Sequence, residues 1–521
     1  MKTKNLLIVL TGVIFISQIT SAQITFQKTI GGVVNDFGTI IRQTTDNGYI
    51  ICGTTSSFGA GMDDIYLVKT NVNGDTLWTK TFGGTNLEYG SSVEQTTDGG
   101  YIIAGNTKSF GAGNKDIYLV KTDSTGNALW TKTFGATDDD LGTFVQQTAD
   151  GGYIISGSSA VTGAVNYDVD LIKTDANGDT LWTKSFGGTG YEDGNVVQQT
   201  FDGGYVITGT TASFGAGGYD FYVVKTNASG NILWAKTYGG TGDDYAFSIK
   251  QTVDSGFVIT GTTNSFGAGF YDAYLMRIDA TGTVVWTKVF GGPDYDTGAS
   301  TQQTSDNGFI MLGQAFSFGA ASDVYLIKTN ASGDTLWTKI FGGAGYEFGS
   351  SVQQTNDGGY IISAGEESFG ASREMYIIKT DANGNSGCNQ GNTGTIVSTP
   401  VMQVAAAPIL VSAGFTVTAP VSVVGSGGSV TTLCTSVGIN DINGSLKTIS
   451  IFPNPFTIEF IIKGTEQKGV IIVADVTGKK IIQQQGFDGD TKINTQNLTP
   501  GFYILNYLEE NKSAKFKLAK F

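Results

Sequence analysis

Histidine is absent from the 521 residues. That absence excludes Ser-His-Asp and Cys-His nucleophilic systems and histidine-ligated zinc, so any hydrolysis would have to rest on carboxylates, tyrosine or lysine. Arginine is scarce, with only Arg42, Arg277 and Arg373. Seven prolines, 15% charged and 11% aromatic residues fit a folded chain rather than a disordered one. The 3.6-residue apolar period of amphipathic helices is missing, and 75 glycines argue further against helix. The one long apolar run, residues 6–16, is shorter than the roughly 20 residues that a bilayer requires, so no transmembrane segment is expected.

Only three cysteines occur. Cys52 falls in an apolar strand pattern and is expected to be a buried free thiol. Cys388 and Cys434 bracket a segment rich in Thr, Val, Ser and Ala, and form a candidate disulfide after export. The formal charge is −15, yet from Leu446 onward 10 lysines face 7 acids. The acidity therefore belongs to the rest of the chain, which excludes nucleic acid as a partner and is compatible with cations, neutral glycans or simple solubility.

What is present is a repeat. All six tryptophans, Trp78, Trp130, Trp182, Trp234, Trp286 and Trp337, occupy one repeat position, spaced by 52 residues four times and then by 51. Each unit reads as four short strands, as in Ser92 to Thr96, Tyr101 to Thr107, Asp116 to Thr122 and Leu129 to Phe134. Turns such as Asp98-Gly99-Gly100 and Asp175-Ala176-Asn177-Gly178 separate them. The second and third strands are nearly continuous apolar runs, expected where both faces are covered, and radially stacked four-stranded sheets provide that cover. The seventh unit breaks at Ser386-Gly387-Cys388, where its fourth strand should stand. Ile24-Thr25-Phe26-Gln27-Lys28-Thr29 matches that strand, with Phe26 in the tryptophan's place, so the N-terminus is expected to complete the last unit and remove two open edges.

The run from Gly239-Gly240-Thr241-Gly242-Asp243-Asp244-Tyr245 through Asp272-Ala273-Tyr274 to Trp286 resembles the β-propeller repeat of secreted bacterial proteins (SBBP-like repeats). The resemblance implies an all-β fold, a seven-bladed β-propeller of four-stranded antiparallel blades over residues 23–386. It implies little about function, since propellers host binding, scaffolding and catalysis alike. Residues 1–22, with Lys2, Lys4, the apolar run and small residues up to Ala22, read as a secretory signal. Residues 387–445, with Pro400, Pro408 and Pro420, read as an extended connector. Residues 446–521 combine the Pro453-Asn454-Pro455 opening, the Asp475-Val476-Thr477-Gly478 turn, the Leu498-Thr499-Pro500-Gly501-Phe502-Tyr503 strand and the lysine-bearing end. They are similar to the C-terminal sorting domain of type IX secretion substrates. That resemblance implies a small β-sandwich, handling by the type IX machinery of a Gram-negative bacterium, and an extracellular or surface-attached product.

Two series of acids recur around the repeat. Asp36, Glu88, Asp140, Glu192, Asp244, Asp296 and Glu347 stand in the link between units. Asp64, Asp116, Asp168, Asp220, Asp272, Asp323 and Glu374 precede the third strand. On one strongly acidic face they are candidates to bind a cation, Ca²⁺ among them, or a glycan, with Tyr89, Tyr191, Tyr245, Tyr295 and Tyr346 stacking on sugar rings. The alternative is that each acid caps N–H groups of its own loop. Sevenfold repetition is what folding demands, so departures from it are better places to look for chemistry, such as Val161-Thr162, Asp170, Pro293 and Arg373. The expected function is a secreted or surface binding or scaffold protein with a glycan or protein ligand and no catalytic residues. The alternative is a glycoside hydrolase or lyase using those carboxylates.

Overall fold

The computed structural model describes residues 23–160, 166–319, 321–370, 372–400, 403–406, 410–412, 416–418, 423–425, 429–437, 450–452, 459–465, 469–475, 479–485, 489–499, 501–509 and 512–520. The signal at residues 1–22, Val161 and Thr162, Pro408 and Pro420, and the Pro453-Asn454-Pro455 opening lie outside them. The described residues contain strands and no helix, and they divide into two units, Ile24–Ser436 and a C-terminal one from Val437.

The first unit consists of seven sheets, each built on a four-stranded antiparallel meander. In the second sheet the strands are Glu88–Gln95, Tyr101–Thr107, Asp116–Thr122 and Ala128–Gly135. The first of these strands starts earlier than the sequence suggests. The acid opens the strand instead of sitting in the link, because Glu88 already pairs with Thr107 and its N–H donates to the Asp63 carbonyl at 2.8 Å. The third strand begins at Asp116, as the sequence suggests. In the seventh sheet the fourth strand is Ile24–Gly31, paired antiparallel with Glu374–Thr380. Phe26 lies opposite Lys379, as Trp130 lies opposite Lys121.

Neighbouring sheets dock by one recurring contact. The ring of Trp78 packs edge-on against Tyr101 of the next sheet at 5.9 Å and lies over Gly126 in that sheet's third turn. Gly126 has φ 79°, and a side chain there would run into the indole, so glycine is required for both reasons. Phe26 repeats the contact on Tyr49 at 6.1 Å and on Gly74, carrying the seventh sheet onto the first. Hydrogen bonds follow the same order. Thr45 N–H donates to Gln95 Oε1 of the next sheet at 2.9 Å, its equivalents repeat this, and Asn356 N–H of the seventh sheet donates to Gln43 Oε1 of the first at 2.9 Å.

Each first turn is fastened by a buried cation on the third strand. Lys121 ion-pairs with Asp98 at 2.8 Å, and Asp98 also accepts from Thr96 Oγ1 and the Gly100 N–H. Equivalent pairs occur in all seven sheets, with Arg277 and Asp254 in the fifth.

The connector consists of short extended strands, each paired with one of the sheets. Gln390–Gly391, Ile396–Ser398, Gln403–Ala406, Leu410–Ser412, Thr416–Thr418, Val423–Gly425 and Ser429–Val437 each add a fifth strand to a different sheet. They visit the sixth, fifth, fourth, third, second, first and seventh sheets in that order, so the chain retraces the whole array backwards. The outer strand of every meander exposes unpaired N–H and C=O groups, and the belt pairs them. Cys388 and Cys434 are joined by a disulfide with Cα atoms 6.3 Å apart. Gln27 of the N-terminal strand donates to Ser386 Oγ at 2.7 Å and to the Cys388 carbonyl at 2.5 Å. Cys52 is a buried free thiol whose pKa burial pushes up.

In the C-terminal unit, a three-stranded sheet (Ser450–Phe452, Glu459–Thr465, Gly489–Asn494) and a four-stranded one (Lys480–Gln485, Val470–Asp475, Gly501–Glu509, Lys512–Lys520) share one core. Phe460, Ile471, Val473, Leu505 and Leu518 are among its members. Lys520 is buried at its edge, its Nζ donating to the Leu498 carbonyl at 2.6 Å.

Candidate functional site

The first acid series, Asp36, Glu88, Asp140, Glu192, Asp244, Asp296 and Glu347, is buried, with exposures of 0–2%. Each carboxylate accepts the N–H four residues upstream: Glu88 from Gly84 at 2.7 Å, Asp244 from Gly240 at 2.8 Å, Glu347 from Gly343 at 3.0 Å. Glu88 and Glu192 accept in addition from the hydroxyl and N–H groups of the following loop, Thr107 and Ser109 or Thr211 and Ser213. In the second series Asp64, Asp116, Asp220 and Asp272 cap the loop before them, as Asp64 accepts Ala60 N–H at 2.9 Å and Gly61 N–H at 3.1 Å. These bonds are those of the capping alternative, and the first series, being buried, forms no exposed carboxylate face.

The two series meet across a glycine. A Cβ on Gly83 would lie 1.8 Å from Asp64 Oδ1 and 2.5 Å from Glu88 Oε2, so only a bare backbone fits between them. Burial raises the pKa of many of these carboxyls, and the facing acid adds to it. Glu347 reaches about 7, and Asp140, Asp168 and Asp220 reach about 6. Among the described residues no group of three or more Asp, Glu, Cys or His is arranged to hold a metal ion, so the Ca²⁺ expectation finds no ligand cluster there. Asp170, which replaces the tyrosine of the third strand, is fully buried and accepts from Ser185 Oγ. Burial lifts its pKa to about 7.

Beside the acids runs a feature that does not repeat sevenfold. Tyr167, Tyr191, Tyr219, Tyr245, Tyr271, Tyr295, Phe316, Tyr346 and Phe348 form an unbroken succession of ring contacts from the third sheet to the seventh, with centroids 5.0–6.4 Å apart. Arg373 stacks on the last ring at 4.5 Å and pairs with Glu367 at 2.6 Å. The rings are partly exposed, Tyr295 by 42% and Tyr346 by 47%. A cavity of about 420 Å³ opens among Phe270, Tyr271, Asp294, Tyr295 and Phe316. Of the tyrosines singled out in the sequence, Tyr191, Tyr245, Tyr295 and Tyr346 fall in this arc and Tyr89 lies outside its ring contacts. Tyr167, Tyr219 and Tyr271 were missed. They occupy the position before the second acid series, held by Asp63, Lys115, Ser322 and Arg373 in other units, and comparing that position across units would have found them.

Residues 450–520 match the secretion system C-terminal sorting domain, which places the chain among substrates handled by type IX secretion and directs it to the cell surface or the extracellular space. Over 354 residues the chain is 25% identical to the regulatory protein FlaEY of Caulobacter vibrioides, covering 62% of this chain and 35% of that protein. It thus spans about a third of the length of that curated relative. Among solved structures it is similar to Sqt1 from Chaetomium thermophilum, with TM-score 0.38 and 9% identity over 70% of this chain and 99% of that one. It is also similar to the extracellular domain of a putative one-component system from B. thetaiotaomicron, with TM-score 0.37 and 10% identity over 97% of this chain and 60% of that one. No described helix is long and apolar enough to cross a membrane.

Proposed function

We propose that the chain is an exported glycan-binding protein. It would carry a cleavable signal at residues 1–22, a seven-bladed β-propeller with its belt, and a sorting tail from residue 446. Support for the propeller comes from the order of sheet contacts, the seventh sheet meeting the first through Phe26 and through Asn356 and Gln43, and from a cavity lined by the inner strands of all seven sheets. The observation that carries the binding role is the aromatic arc. Folding demands what recurs in every unit, and the arc does not recur. Partly exposed aromatic rings in series give sugar rings stacking surfaces, while phenolic hydroxyls and the Arg373–Glu367 pair supply polar contacts. The length of the arc favours an extended oligosaccharide.

The first series of acids serves the scaffold in this reading, its oxygens turned to loop N–H groups instead of a glycosidic bond. The test is a glycan-array screen of the purified protein with and without EDTA, followed by an assay of any bound glycan for cleavage. Binding that survives EDTA, without turnover, and that falls roughly tenfold in Tyr271→Ala and Tyr295→Ala is expected. Silence on every glycan, or binding unchanged in both variants, would sink the proposal, and turnover would move the protein to the carbohydrate-active alternative.

A further inference from the structure

The inner strands end in a ring of side chains with a regular pattern and two departures. Gln353, Glu94, Gln146, Gln198 and Gln302 each accept the backbone N–H of the following sheet, at Gln43, Gln147, Gln199, Gln251 and Gln354, over 2.7–2.9 Å. The two remaining positions carry Arg42 and Lys250, which cannot accept. The array could have used glutamine there, as it does in four other sheets. These cations cost the scaffold two inter-sheet hydrogen bonds, and the repeat gives no reason for them.

Both project to a cavity of about 440 Å³ lined by the inner strand of every sheet, from Thr39 and Arg42 in the first to Ser350 and Gln353 in the seventh. Arg42 spends one nitrogen on the Ile41 carbonyl at 2.9 Å and Ser351 Oγ at 3.2 Å. Lys250 stands against the Phe144 ring at 5.2 Å, and among the described residues its ammonium makes no hydrogen bond or ion pair. Glu94 is the one acid at this level. It is engaged by the Gln147 N–H at 2.7 Å and forms no ion pair with either cation. All three are partly accessible, so solvent reaches them.

Two cations and one acid leave an excess positive charge inside a protein whose net charge is −15. Burial lowers Lys250 to about 8, Arg42 adding to the shift and Glu94 opposing it, and burial lowers Arg42 to about 10. Both behave as cations short of a counter-ion. We propose that this cavity is a binding site for a small oxyanion, a carboxylate or phosphate on a molecule no larger than a monosaccharide, held between Arg42 and Lys250. The site is separate from the aromatic arc. The acids that flank the arc open the inner strands and the cation ring closes them, so an eight-residue strand, roughly 20 Å long, lies between the two levels.

The experiment uses the full chain at fixed ionic strength set with chloride. Thermal unfolding and calorimetric titration are run with glucuronate, citrate and inorganic phosphate. At least one should raise the melting temperature and bind with a stoichiometry near one, and the choice among them separates a sugar acid, an organic acid and a free phosphate. Arg42→Gln/Lys250→Gln installs the residue that four other sheets carry, so it should fold, and it should lose roughly tenfold or more in affinity. Glu94→Gln removes the competing acid and should tighten binding. No stabilisation of the wild type beyond the chloride control by any of the three anions, or undiminished affinity in the double variant, overturns the proposal.

Discussion

Cys388 and Cys434 are joined after the chain between them has contributed a strand to every one of the seven sheets. The bridge fastens the end of the belt to its beginning, beside the N-terminal strand that completes the seventh sheet.

That relationship predicts the effect of losing the bridge. Cross-linking positions 46 residues apart stabilises by about 4 kcal/mol in the chain-entropy model. Cys388→Ser/Cys434→Ser should lower the melting temperature and open residues 390–430 to proteolysis while the seven meanders persist. Limited proteolysis with mass mapping reads this directly, and an unchanged cleavage pattern would show that strand pairing alone holds the belt.

Phe26 is the second lock. It is fully buried and takes the place of the tryptophans. Phe26→Ala should cost about 3–5 kcal/mol, whereas Phe26→Trp, which restores the residue of the other six sheets, should cost far less. Denaturant unfolding compares the two, and equal losses would mean that the aromatic contact is not what joins the seventh sheet to the first.

Two opposed sets of carboxyls predict a stability maximum in mildly acidic solution. The facing acids have raised values, up to about 6 for Asp140, Asp168 and Asp220 and about 7 for Glu347. Between their unfolded values near 4 and these folded ones the native state binds more protons, so stability falls as pH rises through that window. For Asp98, Asp202 and Asp306, burial works against ionisation. Bonds from the paired lysine, a threonine hydroxyl and a glycine N–H overcome it and hold them at about 2. Their contribution is complete above about 4 and is lost as pH falls towards 2. Melting temperature should therefore peak near pH 4 and decline from there towards pH 7, and a monotonic rise from pH 4 to 8 would contradict the assignment.

Asp170 isolates one such group. Among the described residues its second carboxyl oxygen meets the hydrogen-bond criteria with no partner, and burial, raising its value to about 7, makes the ionised form costly above neutrality. Asp170→Asn should stabilise the protein at pH 8 and have little effect at pH 5. A loss of stability at both values would point to a hydrogen bond that the amide cannot replace.

The seven units, their four strands and the N-terminal strand's place were legible because each is written locally. Tryptophan spacing, glycine turns and apolar runs recur every 52 residues, and Phe26 betrays its sheet by matching its neighbours' motif. The sorting tail was legible for the same reason. The belt was not, since its short strands carry no repeat motif and gain their register only from the edges they meet. The burial of the acids was equally hidden, because a carboxylate that caps a loop and one that faces a ligand occupy the same place in the sequence. The arc and the cation ring lay deeper still. Tyr219 and Tyr245, or Arg42 and Lys250, become neighbours only when separate sheets are brought together. Sequence thus determined the units, whose hydrogen bonds and turns are satisfied within about fifty residues. Tertiary structure decided the sites, which exist only where side chains from different units converge.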